Sequence, residues 1–468
     1  MERLTDYWKG FVPYALAAFL VGIVGGFSTV LGPAFVQDIG IAYSNTTWTA
    51  LAQAISTAAL APVLGRLGDA IGRRTTLLLG VAVFTLGNIL SALANSLTVM
   101  MIARFIVGAG TAAIAPVIMA YIVTQFPKNT VARGFSVYML ISSASVIFGP
   151  ALGGLIIASS GWRTMIWTCA AISAAVLGVC FLLGRGSPQE RKPLQAFDGA
   201  GAVMVLAFFS LLLCVPSFGQ NFGWSSSAFL AVLISAAVSL AILTLVEKRA
   251  KQPILPGGFI RRRAFILPVL ALFLTQGLMQ ANMTNTIVFV NYTQPGNSVV
   301  SGYAISIMYL GMSLGALLLG PLADRREPKY VLAGSLLLTG IGCAMLLLFS
   351  VDTPAVLLMA SLGVLGFGLG ANGTIFMKVV LSDLSAEQAG AGTGTYGLFR
   401  DLAAPFGVAV FVPMFTNDVV HQISAGTDGA AAAVNAIRSL GALEILCVIA
   451  GIAVVLFLPC IHEKGERA

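Results

Sequence analysis

Apolar stretches of about 20 residues recur along the entire chain, and no other feature constrains its fold as tightly. As a helix, a stretch of that length spans the hydrocarbon core of a bilayer. Lipid offers the backbone no hydrogen-bond partners, so each segment has to bond its own N–H and C=O groups, and helix does so. Fourteen such spans can be read, at roughly 11–36, 48–68, 75–95, 98–125, 133–158, 163–184, 198–217, 226–247, 264–291, 298–320, 328–350, 354–380, 390–416 and 441–460. The composition agrees, with 58% hydrophobic and 9% charged residues and a mean hydropathy of +0.93. Those values exclude a water-soluble enzyme, a disordered chain and a secreted disulfide scaffold. The expected fold class is an all-α polytopic membrane protein. The first run is too long for a cleaved leader and no A-x-A-like site follows it, so it reads as a retained helix.

The net charge of +8 marks loops, not a nucleic-acid surface. With the N-terminus in the cytoplasm and alternate loops inside, and with residues at the span ends counted with the adjoining loop, only Arg163 and Arg438 fall outside and only Arg104 and Arg400 fall deep within spans. The other Lys and Arg all lie on the inner side, which places both termini in the cytoplasm of a cell (inner) membrane protein and favours an even number of spans. Two charged, proline-containing stretches, 185–198 and 247–263, read as cytoplasmic linkers. They divide the chain into a six-helix bundle (1–188), a central pair of helices with its linkers (189–262) and a second six-helix bundle (263–468). Six plus two plus six implies two pseudo-symmetric bundles with an insert between them.

The cysteines (Cys169, Cys180, Cys214, Cys343, Cys447 and Cys460) have no CxxC spacing and read as small packing residues. His421 and His462 lie in expected loops, and no GxxxxGKS phosphate loop occurs, so nothing calls for a cofactor or a nucleotide.

Three strings carry more than hydropathy. Between spans two and three stands Gly65-Arg66-Leu67-Gly68-Asp69-Ala70-Ile71-Gly72-Arg73-Arg74, with a degenerate copy, Gly320-Pro321-Leu322-Ala323-Asp324-Arg325-Arg326, between spans ten and eleven. Glycines permit a tight turn, and the charges can bond neighbouring helix ends. Span four holds Arg104-Phe105-Ile106-Val107-Gly108-Ala109-Gly110-Thr111, with an arginine that must face a cavity or partner, or snorkel to the outer interface. Span five holds Gly149-Pro150-Ala151-Leu152-Gly153-Gly154, a kink beside a flat packing face.

These strings resemble the motifs of the major facilitator superfamily, and the resemblance covers essentially the whole chain. It implies gating roles for Gly65, Asp69, Gly72, Arg73, Asp324 and Arg325, and a part in proton coupling for Arg104. The span-five string is similar to the one typical of antiporters in that superfamily, which adds Gly149, Pro150, Gly153 and Gly154 to the gating set. Phe197-Asp198-Gly199-Ala200-Gly201 and Gly223-Trp224 resemble the 14-helix drug:proton antiporter branch. The chain departs from that branch in span one, Gly25-Gly26-Phe27-Ser28-Thr29-Val30-Leu31-Gly32-Pro33, which has no acid; Asp38 is the nearest.

Two acids fall within spans. Asp401, beside Arg400, lies near mid-membrane, where a lone carboxyl suits reversible proton binding. Neighbours on a helix sit about 100° apart, so Arg400 and Asp401 do not face each other well. Glu444 is expected near the outer end of span fourteen, within reach of water. Span nine carries Gln276, Met279, Gln280, Asn282, Met283, Thr284 and Asn285, amides and thioethers that can contact bulky ligands or bond other helices. Gln53 and Asn372, with Ser142 and Ser145, are further candidates, while Phe27 and Tyr138 read as packing residues. The expected function is a monomeric secondary transporter in contact with membrane lipids, exchanging protons for an amphipathic small molecule. The alternative is a dedicated exporter of a metabolite, lipid or siderophore-like compound. A membrane enzyme would need a catalytic cluster at one depth and a channel a pore loop, and the sequence has neither.

Overall fold

A computed structural model describes residues 2–40, 46–127, 130–183, 199–249, 262–382, 384 and 386–458. The described residues are helical apart from short turns, with no strand among them. The first group is α1 (Glu2–Thr29), α2 (Leu31–Ile39), α3 (Thr46–Ile71), α4 (Arg73–Ala92), α5 (Leu97–Gln125) and α6 (Val131–Leu183). The central pair is α7 (Gly199–Phe222) and α8 (Ser227–Arg249). There follow α9 (Arg263–Thr293), α10 (Ser298–Arg325), α11 (Pro328–Leu346), α12 (Ala355–Leu369), α13 (Asn372–Leu381), α14 (Ala386–Ser424) and α15 (Gly429–Leu456). Among the described residues, eleven helical stretches are long and apolar enough to cross a membrane. The expected second and seventh spans coincide with α3 and α7.

Several boundaries differ from the expectation, for local reasons. Span one breaks after Thr29, where a proline four residues on has no N–H to give the residue-29 carbonyl. Spans five and six, both within α6, are two helices that meet at Gly161, whose φ of 83° and ψ of 166° are non-helical and suit glycine. Span fourteen starts earlier, at Gly429: the Asp428 carboxylate accepts from the N–H groups of Ala430 and Ala431 at 3.0 and 3.4 Å, and an alanine run extends the helix behind that cap.

The chain divides into two compact units, Met1–Leu206 and Ala207–Ala468. The expected linkers lie largely outside the described residues, and the division falls within α7. Each unit repeats one packing plan. In the first, α1 packs on α6, α5 on both α3 and α4, and α4 on α6. In the second, α9 packs on α14, α12 on both α10 and α11, and α11 on α15. Close approach depends on glycine at corresponding crossings. A Cβ on Gly26 would lie 2.7 Å from the Gly149 Cα, and one on Gly277 2.7 Å from the Gly407 Cα. Between α10 and α12, added Cβ atoms on Gly311, Gly315, Gly366 and Gly370 would all lie within 2.3 Å of a facing carbonyl oxygen. Small residues let backbones meet at such seams, which is how membrane helices gain packing energy without a hydrophobic driving force.

Candidate transport site

Among the described residues of the second unit, one carboxyl is buried. Glu444 lies in the middle of α15 with no exposed surface, because the early start of the helix places it deep rather than near an end. The Asn282 amide nitrogen, on α9, donates to Glu444 Oε1 at 2.9 Å and Oε2 at 3.0 Å, and also to the Leu278 carbonyl at 2.9 Å. The Cys343 thiol of α11 lies beside the carboxyl. No cation pairs with Glu444 among the described residues. The sequence ranks this residue below Asp401 because the start of span fourteen is read too late. Asp401 lies on α14, and its side chain is outside the described residues. Arg400 is exposed and holds an interaction of its own.

Span nine carries two polar faces. At 100° per residue, Gln276, Gln280 and Thr284 share one side of α9, while Thr275, Asn282, Asn285 and Thr286 share nearly the opposite side. The first group keeps partial exposure, and the second is buried. Met283 is fully buried in packing, and Asn372 is buried with its Oδ1 accepting from the Ser335 hydroxyl at 2.8 Å. Of the candidate substrate contacts, Gln276, Gln280 and Gln53 therefore keep access, whereas Asn282, Met283 and Asn372 face helix neighbours.

In the first unit Arg104 is buried and does not snorkel: its guanidinium donates to the Ser28 hydroxyl at 2.8 Å, which in turn donates to the Val24 carbonyl at 2.9 Å. Span one therefore meets the span-four arginine through a hydroxyl. The Gly149–Gly154 string faces α1, with Gly149 against Gly26 and Gly153 against Phe27 and Val30. Asp38 is exposed and paired with Arg163, whose guanidinium lies 4.4 Å from the centre of the Trp162 ring.

The loop motifs bond helix ends in both units. Gly72 has a φ of 99° and connects α3 to α4 with no intervening turn. Arg73 donates to the Thr124 hydroxyl of α5, and Arg74 to the Phe181 carbonyl of α6 at 3.0 Å. Gly65 and Asp69 lie on α3, and their surroundings are outside the described residues. In the second unit Lys378 of α13 donates to the Ala323 carbonyl and to Asp324 Oδ1, both at 2.8 Å, while Arg325 is exposed. Nothing in the sequence marks Lys378 as the partner of Asp324, since the two are far apart in the chain.

The paired motif loops, the repeated packing plan and the deep polar residues agree with the sequence model of the Major Facilitator Superfamily, which matches residues 14–408. The chain belongs to that superfamily. As a superfamily member it is a multi-pass membrane protein, and its relatives are transporters, not enzymes. It is 27% identical over 416 residues to an uncharacterised transporter of this superfamily from Mycobacterium tuberculosis (strain ATCC 25618 / H37Rv), covering 88% of this chain and 60% of that protein. The multidrug transporter protein MdtP of Bacillus subtilis (strain 168) is 26% identical, over 84% of this chain and 73% of its own length. The puromycin resistance protein pur8 of Streptomyces alboniger is 27% identical, over 86% and 80%. Among solved structures, a peptide transporter POT in complex with sulfate superposes with a TM-score of 0.69 at 14% identity, covering 96% of this chain and 95% of that one. A bacterial homologue of the lysosomal transporter Spinster, inward-facing and unoccupied, gives 0.68 at 12% identity, over 97% and 96%. At those identities the likeness concerns the fold alone.

Proposed function

We propose that this protein is a proton-coupled antiporter with fourteen membrane crossings that exports amphipathic compounds by alternating access. The observation that carries the reading is Glu444, a carboxyl buried in the second unit with no cation beside it among the described residues. An ionised carboxyl is costly at that depth, and a bound proton removes the charge. A group that gains and loses a proton as access alternates between the two sides is what coupling requires. The partly exposed amides of Gln276 and Gln280 supply adaptable contacts for the cargo. The names of the relatives, multidrug transporter and puromycin resistance protein, support drug-like cargo.

The energy source follows from what the chain contains. It has no phosphate-binding loop, so a gradient must drive it. One charge crossing a potential of 100 mV supplies about 2.3 kcal/mol, and a pH difference adds to that. Both termini are proposed to lie in the cytoplasm, on the charge asymmetry of the loops.

Purified protein in vesicles tests the reading. Substrate accumulates when the lumen is made acidic, and Glu444→Gln removes the accumulation while downhill flux persists. Asp401→Asn is the companion variant: full coupling in Glu444→Gln together with its loss in Asp401→Asn moves the proton site to α14. The dedicated-exporter reading is favoured by span one, which lacks the acid usual in drug exporters of the branch it resembles. A narrow profile in a resistance panel distinguishes it.

A further inference from the structure

Asn282 makes an unusual contact. One amide nitrogen serves three acceptors, the Leu278 carbonyl and both oxygens of Glu444. One N–H is therefore used on the helix's own backbone and the other is shared across the carboxylate. Both carboxyl oxygens act as acceptors, which is the arrangement of an ionised group. Meanwhile Asn282 Oδ1 is buried and has no hydrogen-bond partner, and neither amide atom of Asn285, one turn along the same face, has one. Buried polar atoms without partners are rare and call for an explanation.

A proton on Glu444 supplies one. The proton binds one carboxyl oxygen and turns it from acceptor into donor. A strong acceptor then has to be present, and Asn282 Oδ1 is the orphan on the side chain already in contact. A small rotation of the amide makes an acid–amide pair, in which the acid O–H donates to Oδ1 and the amide N–H donates to the other carboxyl oxygen. The second amide N–H stays free for Leu278. Each protonation state of Glu444 thus has its own position of Asn282.

We infer that Asn282 is the positioning residue that reads the protonation of Glu444 and passes it to α9 as a change in how that helix meets α15. This rests on the proton-coupled reading above. Its consequence is that α9 joins the two functions: the carboxyl bonds one face, and Gln276 and Gln280 occupy the opposite face.

Among the described residues, the other helices packed on α15 bring no charge into contact with Glu444. From α11 the group in contact is the Cys343 thiol, and Cys447 lies one turn along α15 itself. The Asn435 amide of α15 donates to Gln422 of α14 at 3.0 Å, so the antiparallel α14 passes Glu444 near residue 413, by about the same offset. Residues 402–417 of α14 carry no ionisable side chain. By that register His421 stands more than two turns from Glu444 and Asp418 about one and a half turns from it, where its carboxylate accepts from the Gln422 amide at 3.1 Å. The side chain of Asp401 lies outside the described residues. From α9, Arg263 stands at the far end of its helix.

Infrared difference spectroscopy of the full chain in lipid, recorded across a pH titration, tests the inference without relying on transport. The carboxylic C=O band that disappears in Glu444→Gln belongs to Glu444. In Asn282→Leu that band shifts to higher frequency, as expected for an acid that has lost its amide partner, and the amide band that changes in step with it is lost. Asn282→Ser, a smaller change, gives a shift in the same direction if the leucine variant does not fold. In vesicles both variants lose at least tenfold in pH-driven accumulation and retain downhill flux. An unmoved carboxyl band in folded Asn282→Ser overturns the inference, whatever the transport result. Wild-type protein that ignores a pH gradient defeats the proton-coupled reading instead, so the two failures are separable.

Discussion

Gly277 of α9 and Gly407 of α14 meet backbone to backbone, so that a Cβ on Gly407 would lie 2.1 Å from the Gly277 Cα. The first unit has the same crossing in Gly26 and Gly149. The correspondence joins the first and fifth spans of each half and is the clearest trace of the internal repeat.

The crossing has no room for a methyl group. Gly407→Ala is expected to lower stability by about 1–3 kcal/mol, the usual cost of overpacking. Gly25→Ala is the control, since a Cβ there meets nothing within 4 Å. Thermal unfolding in detergent checks both: Gly407→Ala melts several degrees lower, and Gly25→Ala melts with the parent.

Ser28 is the acceptor for the buried Arg104 guanidinium. Ser28→Ala leaves that charge without the bond and should cost about 1.5–3 kcal/mol, the range for a hydrogen bond to a charged group. Ser28→Asp puts an acid into span one, beside the Arg104 guanidinium. Transport of cationic against neutral substrates should then shift toward the cations, measured as a ratio of efflux rates.

The Lys378–Asp324 pair joins the ends of α13 and α10, with the carboxylate exposed. An exposed pair contributes about 1 kcal/mol or less, so Asp324→Asn should leave the melting temperature nearly unchanged. If the pair is a latch of one conformation, turnover falls several-fold at the same time. An unchanged turnover with unchanged stability removes Asp324 from the gating set.

Much of this molecule is legible in its hydropathy. The apolar runs locate the helices, and the loop string and its copy reveal the repeat, because lipid imposes length and backbone pairing directly on sequence. What the runs hide is where helices stop. The alanine-rich start of α15 contains Asn435, Arg438 and Ser439, so it reads as loop, and Glu444 then falls near an end. The Asp428 cap was the signal that could have placed it. Side-chain partners across helices were not legible at all. Asn282 reads as one of several amides in span nine, and only packing decides that it faces a carboxyl while Gln276 and Gln280 face the other way. Lys378 reads as a loop cation, and its bond to Asp324 depends on two helix ends converging.

The measurement that bears most directly on the central claim is substrate accumulation by the purified protein in sealed vesicles, with and without an acid lumen, for the parent and for Glu444→Gln. The account predicts accumulation above the external concentration only when the lumen is acid, abolished in the variant while downhill movement continues. Equal accumulation by the parent with and without the gradient would contradict it.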